Sequence, residues 1–246
     1  MMAGKSIVDD PLSTPRWKIG WLKQTGTVAS INSPTFQSIE CDLDRMGTVI
    51  KVGGSILDAP NSKEMFSELL ALLPEHRVAL VFGGGLQVES LRQADRMSVR
   101  PSQETHVEAI EVMGNVAVQM ASMYGLDLTK QWPPCNNQSQ SIRNMNKTIL
   151  DVRDFLSMHE ANCGGQPLPV GWSVTSDSIA ARLAAVAGWD LLLVKSIQPP
   201  WTLQEAYDAR IDLLADRGWV DEFFPHTLSK VKNIWWTAPN QPVEFS

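Results

Sequence analysis

The sequence predicts an α/β fold built on a mainly parallel sheet. Three observations carry that expectation. Short apolar runs without alternation, "TVIKV", "RVALVF" and "DLLLV", read as strands covered on both faces. Segments with apolar residues at helical spacing lie between them. Two of the runs stop at glycine clusters, Gly53–Gly54 and Gly83–Gly85, where a strand turns sharply toward a helix.

Residues 1–46 are mixed, rich in Ser, Thr and Pro, and read as a partly irregular arm. Within it "RWKIGWLKQ" has the pattern of a short strand, because Trp17, Ile19 and Trp21 alternate with charged or small residues. "TVIKV" is the first convincing strand. "NSKEMFSELLALL" follows as a helix, with Asn61 as N-cap and Glu64 placed as in a capping box. "RVALVF" is the next strand. Residues 104–124 form a long helix, with Val107, Ile110, Met113, Val116, Ala117 and Met120 on one face. "TKQWPPCNNQSQSIRNMNK" is a polar surface excursion, and "TILDVRDFLSM" returns to strand then helix. "GWSVTSDSIAARLAAVAG" reads as a strand end, a polar turn and an Ala-rich helix that buries Ile179, Leu183 and Val186. "DLLLV" is a strand, "TLQEAYDARIDLLADRG" a helix with Gly218 as C-cap, and "VKNIWW" the final strand.

The 246 residues suit one large domain or two closely joined lobes. A net charge of −6 argues against a nucleic-acid surface, without excluding a local basic pocket for phosphate. Cys41, Cys135 and Cys163 are scattered with no metal-ligand spacing, so no protein metal site is expected and a reducing, cytoplasmic compartment is the simplest reading. There is no signal-peptide core and no run near the ~20 residues of a membrane span.

Lys51 interrupts an apolar strand just before Gly53, Gly54 and Ser55. Ligands of parallel sheets sit at the carboxyl ends of strands, and glycines let backbone N–H groups approach an anion. A lysine there is a point charge for a phosphate. The bland alternative, an edge lysine reaching water, stands at even odds on this turn alone. The second turn, Gly83, Gly84 and Gly85 before a helix start, favours an anion site at that helix N-terminus. Neither turn has the Walker or dinucleotide spacing. Asp177 on its own reads more readily as an N-cap than as a site residue, and Lys195, at another strand end, equally as a solvated or a site lysine.

K-x-G-G-S, then G-G-G, then S-D-x-x-A-A before an Ala-rich helix together resemble the amino acid kinase superfamily, which includes acetylglutamate, aspartate, uridylate and isopentenyl phosphate kinases. The resemblance runs from about Thr48 onward. It implies a three-layer αβα sandwich over residues 47–246, with an acceptor-binding half at about 47–165 and a nucleotide-binding half at about 166–246. It implies that Lys51 and Asp177 are catalytic. Lys51 would neutralise the phosphoryl group in transfer, and Asp177 would orient the cationic groups. Gly53, Gly54, Ser55, Gly83, Gly84 and Gly85 would bind phosphate and acceptor, and Thr175, Ser176 and Lys195 the nucleotide. ATP and Mg²⁺ are the implied cofactors, and a homodimer or higher homo-oligomer paired through the long helix the implied assembly. "PVGWSVTSDSIAARLA", "LLLVKS" and "HVEAIEVMGNVAVQMA" are most similar to a smaller branch, that of (aminomethyl)furanmethyl phosphate kinase in methanofuran-type cofactor synthesis. The family's late T-G-G-M-x-x-K segment has no counterpart; the region reads "GWVDEFFPHTLSKV", and Lys195 or Lys230 would have to substitute. The expected function is an ATP-dependent phosphotransferase for a small anionic or phosphorylated acceptor. The alternative is a non-catalytic nucleotide- or oxyanion-binding or storage protein of the same fold.

Overall fold

The computed structural model describes residues 17–24, 47–73, 77–132, 146–197 and 212–239. Among these residues there are seven strands, β1 (Trp17–Gln24), β2 (Thr48–Val52), β3 (Val78–Phe82), β4 (Asp127–Thr129), β5 (Lys147–Leu150), β6 (Asp190–Val194) and β7 (Asn233–Pro239). They form one sheet in the order β1-β7-β6-β2-β3-β5-β4. Every neighbouring pair is parallel except β1 with β7. The expected strand in "RWKIGWLKQ" therefore joins the sheet, as an antiparallel edge.

The helices are α1 (Gly54–Leu57), α2 (Ser62–Leu72), α3 (Gly85–Arg96), α4 (Ser102–Tyr124), α5 (Ser176–Ala187) and α6 (Asp212–Asp216). They give the sheet a core on each face. On one face Ile50, Val52, Leu80 and Phe82 pack with Ile56 of α1, Phe66 and Leu69 of α2 and Met120 of α4. On the other, Val49, Val81, Leu191 and Leu193 pack with Ile179, Leu183 and Ala184 of α5 and with Phe224 and Leu228. This is the three-layer αβα sandwich. The alanines of α5 explain its depth: Asp177 through Ala185 are all buried, and short side chains let the helix lie close to the strands. Tryptophan serves as core filler, Trp132, Trp235 and Trp236 being almost wholly enclosed.

Several local expectations are corrected. Asn61 holds the N-cap position of α2 but its side chain makes no cap bond. Val107 is 54% exposed. The inward stripe of α4 runs instead through His106, Ala109, Met113, Ala117 and Met120, and Val107 stands about 100° from His106 around the axis. No strand precedes α5, since 171–173 is a turn. The polar excursion begins with a buried residue: the Trp132 indole N–H donates to the carbonyl of Leu183 (3.1 Å). Residues 133–145 and most of "TLQEAYDARIDLLADRG" lie outside the described residues, where the helix read there is represented by α6 and Gly218 just beyond it.

The chain runs from β2 rightward to β3 and beyond, then returns to place β6 on the other side of β2. The carboxyl end of β2 is thus the point where strand order reverses, the usual ligand crevice of such a sheet.

Candidate active site

Side chains alternate across a strand, so Lys51 shares a face with Val49, and Lys195 continues the series Leu191, Leu193. Both lysines therefore emerge on the face covered by α5, at the end where α5 begins. There they meet one carboxylate. Lys51 Nζ lies 2.9 Å from Asp177 Oδ1, and Lys195 Nζ 2.6 Å from Asp177 Oδ2. Side-chain exposure is 5% for Lys51, 7% for Asp177 and 12% for Lys195, so two cations and one anion share a nearly dry pocket.

That arrangement has electrostatic consequences. Burial opposes ionisation of Asp177, but the charges of Lys195 and Lys51 outweigh it and hold the carboxyl down at about 2. Burial pushes Lys195 down to about 8, against the pull of Asp177 and with the help of the Lys51 charge. The N-cap reading of Asp177 is corrected, because Thr175 is the N-cap of α5 and its hydroxyl accepts from the Asp177 amide (3.4 Å).

The two glycine turns are pressed together beside these lysines. A Cβ on Gly54 would come within 2.3 Å of the Gly85 nitrogen, so a side chain at Gly54 cannot enter without moving backbone. Gly85 itself has φ +60°, in the left-handed region. Ser55 donates from Oγ to Ser196 Oγ (2.9 Å), tying the first turn to the residue after Lys195. The expected anion site at the start of α3 is partly filled by the protein, since the Leu86 amide donates to Asp58 Oδ2 (2.9 Å). Burial pushes Asp58 up, and the Leu86 hydrogen bond pulls it back.

Lys51, Asp177, Lys195, Ser55, Gly54 and the Gly83–Gly85 turn border one cavity of about 960 Å³. Its lining also includes Arg92, His106 and Trp172, and Ala215, Trp219 and Asp221. The Arg92 guanidinium stands over the Trp172 ring (5.2 Å). The Trp172 indole N–H donates to Thr105 Oγ1 (3.1 Å), and the Gly171 amide donates to His106 Nδ1 (3.2 Å). A ring nitrogen that accepts carries no proton, and burial pushes His106 down accordingly.

Thr175 and Ser176 also border the cavity, but both donors of Thr175, its amide (2.9 Å) and its hydroxyl (2.7 Å), point to Asp221 Oδ2. Gly53 lies under the turn, its amide bonded to the Val194 carbonyl (2.8 Å). Lys230 is an exposed residue at the end of the 3₁₀ helix Phe224–Lys230 and does not border the cavity, so of the two candidate late lysines only Lys195 is at the site. Asp221, Arg92, His106 and Trp172 were missed by the sequence reading. The one signal for Asp221 was its place where a glycine-lysine motif was sought.

The chain is similar in structure to the uridylate kinase from Archaeoglobus fulgidus, with 16% identity over 78% of this chain and 91% of that chain and a TM-score of 0.45. No curated protein matches it in sequence. Residues 46–197, well over half of the chain, match the amino acid kinase family, and the chain belongs to that family.

Proposed function

We propose that the protein is an ATP-dependent phosphotransferase acting on a small anionic or phosphorylated acceptor. The observation that carries this reading is the convergence of Lys51 and Lys195 on Asp177 beside two glycine turns, in a cavity open toward both halves of the chain. Phosphoryl transfer asks a protein mainly for positioning and for charge that offsets the phosphate oxygens. Two cations held by one carboxylate place positive charge at the cavity wall that does not need to reorganise. The glycine turns leave room for polyphosphate against backbone, which fits ATP; Mg²⁺ would come with the nucleotide, keeping phosphate and water ligands. In this reading Lys51 and Lys195 neutralise the phosphates and Asp177 keeps their amines aimed. Gly54, Ser55 and Gly83–Gly85 form the phosphate and acceptor wall, and Gly53 supports it from behind, its amide held by Val194. Residues 47–165 form the acceptor half, 166–246 the nucleotide half, and 1–46 an added arm. Ser176 and Lys195 face the nucleotide, while Thr175 acts through the turn it caps.

The branch resemblance narrows the acceptor to a phosphorylated aminomethylfuran of methanofuran-type C1-carrier synthesis. The family reading also carries a cytoplasmic homodimer or higher homo-oligomer paired through α4, along which Val107, Val118 and Met123 are exposed; light scattering giving a monomer mass at micromolar concentration would refute that assembly. The test of the activity is ADP release from MgATP with a panel of small phosphomonoesters, the furan included. Turnover lost in Lys51→Met supports the reading. MgATP binding without turnover on any acceptor favours the second reading, a nucleotide- or oxyanion-binding protein, to which the missing late lysine and the occupied Thr175 donors lend weight.

A further inference from the structure

Asp221 follows α6, in the segment where the family's glycine-lysine motif has no counterpart. Its carboxylate gathers four donors from the first turn of α5. Oδ2 accepts from the Thr175 amide (2.9 Å), the Thr175 hydroxyl (2.7 Å) and the Ser178 amide (3.0 Å), and Oδ1 accepts from the Ser178 hydroxyl. An N-cap side chain ordinarily accepts from the second or third amide of its helix. Here the Thr175 hydroxyl accepts from the second, that of Asp177 (3.4 Å), and donates its own proton to Asp221, while the third amide, that of Ser178, goes to Asp221 directly. The local cap of α5 is therefore braced from outside, by a charged acceptor whose bonds are stronger than those of a neutral cap. The hold is costly. Burial, and then the charge of Asp177, push the Asp221 carboxyl up, while the bonds from Ser178 and Thr175 hold it back. A second, half-buried carboxylate beside Asp177 is a poor choice if helix capping is the sole demand.

We propose that Asp221 is a positioning residue: by fixing the Thr175–Ser178 turn it keeps the Asp177 carboxylate between Lys51 and Lys195. Asp177 is flanked in sequence by residues bonded to Asp221, so a loosened turn lengthens both ion pairs. The proposal takes its purpose from the phosphotransferase reading and its geometry from the hydrogen bonds alone.

The experiment follows Lys195 itself, on the full chain, by its labelling with acetic anhydride as a function of pH, read peptide by peptide in a mass spectrometer. The charged and aromatic groups facing Lys195 are Asp177 from α5, Lys51 from β2, Asp221 after α6 and the Trp236 ring of β7. The labelling midpoint, near 8 in the parent, should fall in Asp221→Asn and in Asp177→Asn, with no further fall in the double variant. A midpoint lower by one on the pH scale raises labelling at pH 7 about fivefold. Ser178→Ala, which removes one donor, should move the midpoint the same way by less, and keeps the test open if Asp221→Asn does not fold. A midpoint unmoved in Ser178→Ala and in any folded Asp221→Asn, with only a lowered Tm, makes Asp221 a plain cap and overturns the proposal. So does a double variant whose shift is the sum of the two, because Asp221 then acts on Lys195 through its own charge. Protection of Lys195 by MgATP is a separate arm: its absence overturns the phosphotransferase reading and leaves the positioning role standing.

Discussion

Lys51, Asp177 and Lys195 are unequal partners, and substitution separates them. Lys51→Met leaves Asp177 paired with Lys195, and the methionine fills the space of the lysine stem. It should lower kcat far more than it raises KM, by roughly a hundredfold or about 3 kcal/mol, with Tm within a few degrees of the parent. A steady-state assay beside a thermal melt checks this. Asp177→Asn should do more damage, because two ammonium groups then lose the carboxylate that they share, and only the more distant charge of Asp221 still faces Lys195. Removing one partner of a buried ionic cluster costs about 3 kcal/mol. Inorganic tripolyphosphate should restore Tm more in Asp177→Asn than in the parent, since it supplies the missing anions; equal restoration refutes the account. The pH dependence has two signs. Asp177 is depressed to about 2, so its contribution to stability is present above its ordinary value and is lost as pH falls toward 2. Lys195 is depressed to about 8, so the folded chain binds fewer protons than the unfolded one between about 8 and its ordinary value, and stability rises with pH there. Anion binding runs the other way: calorimetric affinity for tripolyphosphate should decline as pH rises through 8, where Lys195 loses its charge.

At the scale of elements, the glycine turns work as a pair. Gly54→Ala sets a methyl against the Gly85 backbone, so β2–α1 and β3–α3 must part. Overpacking of this kind costs roughly 1–3 kcal/mol, and it should weaken tripolyphosphate binding as well, since both turns wall the cavity. Denaturant melts and calorimetry on the same variant check both effects. These turns were legible in the sequence because apolar runs that end in glycine leave few other readings. The phase of α4 was not. Val107 and His106 compete for the inward position, and the choice depends on where the helix begins, at Ser102, and on the Gly171 amide that His106 Nδ1 accepts. The acceptors that Asp58 lends to α3 and Asp221 adds to the local Thr175 cap of α5 were equally hidden, because both reach those helices from elsewhere in the chain, and a sequence pattern records only caps that are local.

For the whole molecule, strand identity was readable and strand order was not. Nothing in "TVIKV" or "DLLLV" says that they lie side by side, yet that pairing, Lys51 opposite Leu193, is what brings Lys51 and Lys195 to one carboxylate. The sheet also depends on its first strand more than the family match, which begins at residue 46, implies. A chain starting at Gly47 lacks β1 and leaves β7 as a bare edge. Such an edge invites pairing with another chain, so this variant should be less stable and should associate as its concentration rises, which light scattering checks.

The place of β7 beside β6 has a consequence for how the protein is made. The Lys195 amide is bonded to the Thr237 carbonyl (3.0 Å), so this lysine is anchored by a strand synthesised after every other described strand of the sheet. On the ribosome β2, β3, β5 and β6 emerge earlier and can begin to collapse, but the partner that seats Lys195 is still inside the exit tunnel. The pairing of β1 with β7 spans nearly the entire chain and carries the largest loop-closure entropy in the sheet. Completion of the cavity wall at Lys195 therefore waits until β7 has been made and paired with β6.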